Sequence, residues 1–159
     1  MKTLVVYFSL TGSTEFVAKI ISEQLNADLC EVIDKKHKKS KLIYLKGGAA
    51  AVREKLTKIE VPKTIEGYDL IIVGSPVWAG KITPAIRTFI ASNDFSNKKG
   101  AFFITLGGDK PEKTFENMRQ TTGFNSIVKE LAVSNTIEDK KEVEKIATEW
   151  CEEIKKISF

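Results

Sequence analysis

Three stretches of the chain are apolar without a break: Leu4-Val5-Val6-Tyr7-Phe8, Leu70-Ile71-Ile72-Val73 and Ala101-Phe102-Phe103-Ile104. Consecutive β-branched and aromatic side chains suit parallel strands covered on both faces, where no position needs a wet side. Elsewhere the period changes to that of a helix. Phe16, Val17, Ile20, Ile21 and Leu25 make one apolar stripe, and Ala85, Ile86, Phe89 and Ile90 a second. Val143, Ile146, Ala147, Trp150, Ile154 and Ile157 make a third, on a long last helix starting near residue 138; Trp150 is therefore read as core. Thr83-Pro84 is a helix start, with Thr83 as N-cap and Pro84 at the first helical position. Phe115, Met118 and Arg119 continue a helix that Gly123 ends. Residues 27–33 alternate polar and apolar, as a strand near a sheet edge does. Residues 126–133 read as a last strand and residues 49–56 as a short helix of good formers. Five strands alternating with helices argue for an α/β fold, a doubly wound parallel sheet with helices on both faces. The 159 residues are expected to form one domain, 1–159, large enough to bury a core without metals or disulfides.

In such a sheet, ligands bind beyond the carboxyl ends of the strands, so the segments just after the three apolar runs are the candidates for a site. The first run leads into Ser9-Leu10-Thr11-Gly12-Ser13-Thr14-Glu15, four hydroxyl residues around one glycine, and then into the first amphipathic segment. A strand that ends in such a loop and starts a helix offers free backbone N–H groups and a positive dipole end to an anion. Ser9, Thr11, Ser13 and Thr14 can add side-chain donors. No lysine or arginine occurs from residue 3 to 18, so the anion would be held by neutral groups. A P-loop, which needs GxxxxGK[ST], and a dinucleotide GxGxxG are both excluded. The plainer reading of the same loop is a βα turn capped by Ser13 or Thr14, with no ligand.

The loop resembles the phosphate-binding loop of flavodoxins, a hydroxyl-x-T-G-x-T-E pattern that Ser9, Thr11, Gly12, Thr14 and Glu15 match. The resemblance runs in order along nearly the whole chain. It implies the three-layer flavodoxin-like fold with strand order 2-1-3-4-5, itself a worked example of the switch-point rule, and FMN as the cofactor. It places the phosphate on Ser9, Leu10, Thr11, Gly12, Ser13 and Thr14. Ser75, Pro76, Val77, Trp78, Ala79 and Gly80 resemble the loop after the third strand, where an aromatic residue covers one face of the flavin ring. Trp78 lies outside any apolar stripe, so it is expected in the loop, stacked flat on the ring; the three-loop flavin site read from these segments depends on that placement, and an indole sequestered among aliphatic side chains would undo it. Leu106, Gly107, Gly108 and Asp109 resemble the third flavin loop, whose backbone N–H groups reach the polar edge of the ring. The tyrosine usual three residues after that Asp is Glu112 here, so the second face is covered by another group or left open.

Charge changes the picture in one place. The chain carries a net charge of +4, but Lys35, Lys36, Lys38, Lys39 and Lys41 crowd into seven residues with no acid among them, so the rest comes to about −1. Flavodoxin electron carriers are markedly acidic, and this chain is not. Where they often have an acid after the aromatic residue, this chain has Lys81, which would favour a reduced, anionic flavin. The lysine loop has no interleaved aromatics and no recognition-helix signature, so nucleic acid is not an expected partner. Cys30 and Cys151 are far apart, without CxxC or a His/Cys cluster, and read as reduced packing residues. No metal site, membrane insertion or catalytic acid–base constellation is expected, and the location expected is cytoplasmic. His37, within the lysine loop, reads as solvated. The resemblance implies two functions: a low-potential FMN electron carrier between a reductase and an acceptor protein, as a monomer or weak homo-oligomer, or an FMN-dependent NAD(P)H oxidoreductase acting on a small, quinone-type acceptor.

Overall fold

The first apolar run forms β1 (Thr3–Tyr7), in which every residue is buried. The structure is a computed structural model and describes residues 1–35, 56–108, 110–134 and 139–157. Along the chain come α1 (Ser13–Leu25), β2 (Asp28–Glu31), β3 (Ile33–Asp34), β4 (Ile59–Glu60), β5 (Leu70–Trp78) and β6 (Lys81–Ile82). The remainder is α2 (Pro84–Ala91), β7 (Lys99–Leu106), α3 (Glu112–Thr122), β8 (Ser126–Ser134) and α4 (Lys140–Lys155). The central sheet runs β2-β1-β5-β7-β8, with each neighbouring pair parallel. Counting only those five strands, this is the expected order. The strand order reverses across the sheet after β2, so β1 and β5 flank the switch point beyond whose carboxyl ends such sheets bind their ligands.

Two apolar layers cover the sheet. Leu4, Val6, Ile71, Val73, Phe102 and Ile104 point to one face and pack with Ile86, Phe89, Phe115 and Met118 of α2 and α3. Their alternates Val5, Ile72, Ala101 and Phe103 point to the other, against Val17 and Ile21 of α1 and Ala147, Trp150 and Ile154 of α4. Trp150 is core, as the stripe predicted. Cys30 lies in the first layer and Cys151 in the second, both as buried free thiols.

Three expectations are amended and a fourth holds. The strand expected over 27–33 divides: Val32 still donates to the Tyr7 carbonyl at 2.7 Å, but Ile33 and Asp34 leave the main sheet and pair antiparallel with β4. The strand expected to stop at Gly74 runs on to Trp78 and folds back as β6, Val77 pairing with Ile82 and Trp78 with Lys81. The N-cap of α1 is Gly12, at φ 94°, rather than Ser13 or Thr14. Thr83 is the N-cap of α2 and Pro84 its first residue, as expected, but no side-chain cap bond forms; the Thr83 hydroxyl sits 3.3 Å from that of Ser75. The lysine loop beyond Lys35, His37 and the helix expected over 49–56, apart from Leu56, lie outside the described residues. Among the described residues no helix is long and apolar enough to cross a membrane.

Candidate functional site

Parallel register sets the place of the three loops. Tyr7 pairs with Gly74 and Gly74 with Phe103, so everything beyond these residues on β1, β5 and β7 emerges at one rim. Ser9 to Thr14, the β5–β6 hairpin and Leu106 to Gly108 therefore meet there, as the sequence led one to expect. Asp109 lies outside the described residues.

In the first loop, the hydroxyl residues divide into two kinds. Ser9 is buried, and its Oγ accepts the Gly12 N–H at 3.2 Å, closing the turn from within. Thr14 is 1% exposed and its Oγ1 lies 2.7 Å from Oγ1 of Thr105 on β7. Thr11 is exposed and Ser13 half-buried, their hydroxyls 3.4 Å apart. Ser9 and Thr14 thus also build the loop, through the Gly12 N–H and Thr105, while among the described residues the hydroxyls of Thr11 and Ser13 bond only with each other. The first intrahelical bond of α1 runs from Phe16 N–H to the Gly12 carbonyl at 2.9 Å. Helix geometry turns the first N–H groups of α1, those of Ser13 and Thr14, outward along the helix axis, at the positive end of the helix dipole. Glu15, in that first turn, ion-pairs with Lys19 at 2.7 Å. The Tyr7 phenol beneath is pushed up to about 12, by burial first and then by Glu31, Glu15 and Cys30, and stays protonated at any physiological pH.

The hairpin corrects the expectation for Trp78. Its indole is 7% exposed and belongs to the α2/α3-side core. It meets Phe8 edge-on, ring centroids 5.9 Å apart and planes at 87°. The physical reason is the extra length of β5: carrying the strand to Trp78 keeps the side chain in sheet alternation and lays it against Phe8, the last apolar residue of the first run. An open, face-up indole needs a loop there, and the chain forms a ladder instead. The turn that does front the rim is Ala79-Gly80, both exposed, at φ 49° and 75°. It is tied to α3 by Thr114, whose buried hydroxyl donates to the Gly80 carbonyl at 3.0 Å. Ser75 is fully buried; its Oγ accepts the Thr83 N–H at 3.1 Å and fixes the base of the hairpin to the start of α2. Pro76, Val77 and Lys81 are half-buried. In the third loop Leu106 is half-buried and Gly107 and Gly108 are exposed.

Sequence reasoning passed over Thr105. Its only signal was a hydroxyl in an otherwise apolar strand, one residue before Leu106, and nothing in the spacing links it to residue 14.

A family profile described as Flavodoxin matches residues 2–154. Among solved structures, the chain is similar to a flavoprotein from Lactobacillus acidophilus crystallised in complex with FMN: TM-score 0.72, 23% identity, over 92% of this chain and 98% of that one. It is similar also to oxidised flavodoxin 2 from Bacillus cereus, with TM-score 0.64 and 19% identity over 98% of both chains. At these identities the likeness is one of fold. A curated relative, the NAD(P)H dehydrogenase (quinone) of Archaeoglobus fulgidus, is 31% identical over 94 residues, 56% of this chain and 49% of that protein. The chain spans about half the length of the curated relatives it matches.

Proposed function

The chain belongs to the flavodoxin family, and from that premise we propose that it binds FMN at the rim formed by β1, β5 and β7 and acts as a low-potential electron-transfer protein. The observation that carries the reading is the donor set at the start of α1: the hydroxyls of exposed Thr11 and half-buried Ser13 and the helix N–H groups of Ser13 and Thr14, with no lysine or arginine from residue 3 to 18. A phosphate monoester fits such a set, because aligned backbone dipoles stabilise its charge without a fixed cation. Ser9 and Thr14 shape the loop from inside. Pro76 to Gly80 flank the ring on one side, with Trp78 and Phe8 stiffening that wall from beneath rather than offering a stacking face. The N–H groups of Gly107 and Gly108 suit the ring's polar edge. When bound, FMN supplies the reversible electron transfer; the protein supplies position, access and local charge.

A second reading, an NAD(P)H oxidoreductase with a quinone-type acceptor, is favoured by the name of the Archaeoglobus fulgidus relative and by a chain of net charge +4 where the carriers are acidic. One experiment separates the two. FMN is titrated into the apoprotein and followed by quenching of flavin fluorescence, and the loaded protein is mixed with NADPH in air. Tight binding with a flavin that stays oxidised until a separate reductase is added supports the carrier. Direct bleaching by NADPH supports the oxidoreductase, and no quenching sinks both.

A further inference from the structure

The Thr14 and Thr105 hydroxyls meet at 2.7 Å with almost no solvent at either residue, 1% and 5% exposed. They sit 91 residues apart, one on the second residue of α1 and one on the penultimate residue of β7. Two facts make this pair more than packing. Thr14 is the second residue of α1, where helix geometry directs the backbone N–H toward the helix N-terminus, so whatever fixes its side chain also fixes where its N–H aims. Thr105 directly precedes Leu106-Gly107-Gly108, so whatever holds its side chain also sets where the third loop leaves the sheet. α1 lies on the sheet face opposite α2 and α3, and this bond is a polar tie from its first turn to β7.

We propose that Thr105 is a positioning residue for the cofactor: through Thr14 it holds the phosphate-binding end of α1 at a set distance from the loop that receives the flavin ring. It touches neither part of the ligand. A single neutral hydrogen bond contributes modestly to stability, but a buried hydroxyl stripped of its partner carries a larger penalty and turns toward another acceptor. Here the turn displaces the donors of the first helical turn. Ligand parts bound at two linked loops feel that displacement only when both are engaged.

This inference rests on the FMN reading, and its test separates the two. Affinities for FMN and for riboflavin, which lacks the phosphate, are measured by flavin fluorescence quenching in wild type, Thr105→Val, Thr105→Ser and Thr14→Val, with thermal melts of each apoprotein. The expected result for Thr105→Val is FMN binding weakened about tenfold, with riboflavin binding changed less than about twofold. Thr105→Ser restores FMN binding, and Thr14→Val matches Thr105→Val because the two act as one unit. Equal losses for both ligands, or FMN binding as in wild type, overturns the positioning role. If Thr105→Val does not fold, Thr105→Ser failing to bind FMN preferentially also overturns it. Wild type that binds no FMN overturns the site itself and not this step alone.

Discussion

Single residues at this rim carry roles that their chemistry alone does not announce. Ser9 and Thr14 are hydroxyls like Thr11 and Ser13, yet they also hold the loop in place, through the Gly12 N–H and Thr105. Trp78 is an aromatic in a glycine-containing stretch, yet its indole is held edge-on by Phe8. Tyr7 shows how such placement converts to stability. Burial raises its phenol from 10.0 to about 12, so the folded state keeps a proton that the unfolded chain gives up. Its contribution is complete below pH 10.0 and is lost as pH climbs through that window toward about 12. The urea midpoint is therefore expected to fall between neutrality and about pH 11, and to fall less in Tyr7→Phe. Equal losses in the two proteins would contradict this account.

Among elements, the β5–β6 hairpin is where local preference and tertiary demand conflict. Its two-residue turn places Ala79 at φ 49°, a left-handed conformation that costs an L residue about 1 kcal/mol relative to glycine. Hairpins of this length favour Asn-Gly or Gly-Gly for that reason. Ala79→Gly is thus expected to stabilise the protein by up to about 1 kcal/mol, less the glycine's extra freedom when unfolded. The denaturation midpoint reads it, and a lower midpoint would mean that the Ala79 methyl is held by contacts outweighing its strain. Nothing in the sequence marked this hairpin. Lys81-Ile82 is too short to read as a strand, and it exists because β5 has already aligned Val77 and Trp78 for pairing. The long elements were legible: the stripe from Val143 to Ile154 became α4, and Gly123, at φ 64°, ends α3.

For the whole molecule, placing α1 and α4 on one face and α2 and α3 on the other puts Cys30 and Cys151 in separate layers. They cannot meet across the sheet, and burial pushes the Cys151 thiol up to about 12, leaving almost no thiolate to react. Both thiols are expected to resist iodoacetamide in the folded protein and to label fully in urea, as a mass spectrum of each would read; rapid labelling of Cys151 without denaturant would contradict this core. The strand order came through the flavodoxin resemblance, whereas the sequence by itself determined the doubly wound class, with helices on both faces of a parallel sheet, and the rim where the loops open. These depend on the periodicity of apolar positions, a local property summed over many residues, and on chirality rules common to all parallel sheets. Only the tertiary structure decided which hydroxyls bond within the fold, that Thr105 stands behind Thr14, and that Trp78 turns inward. Those outcomes depend on contacts between residues as much as 91 positions apart, and no local pattern carries that information.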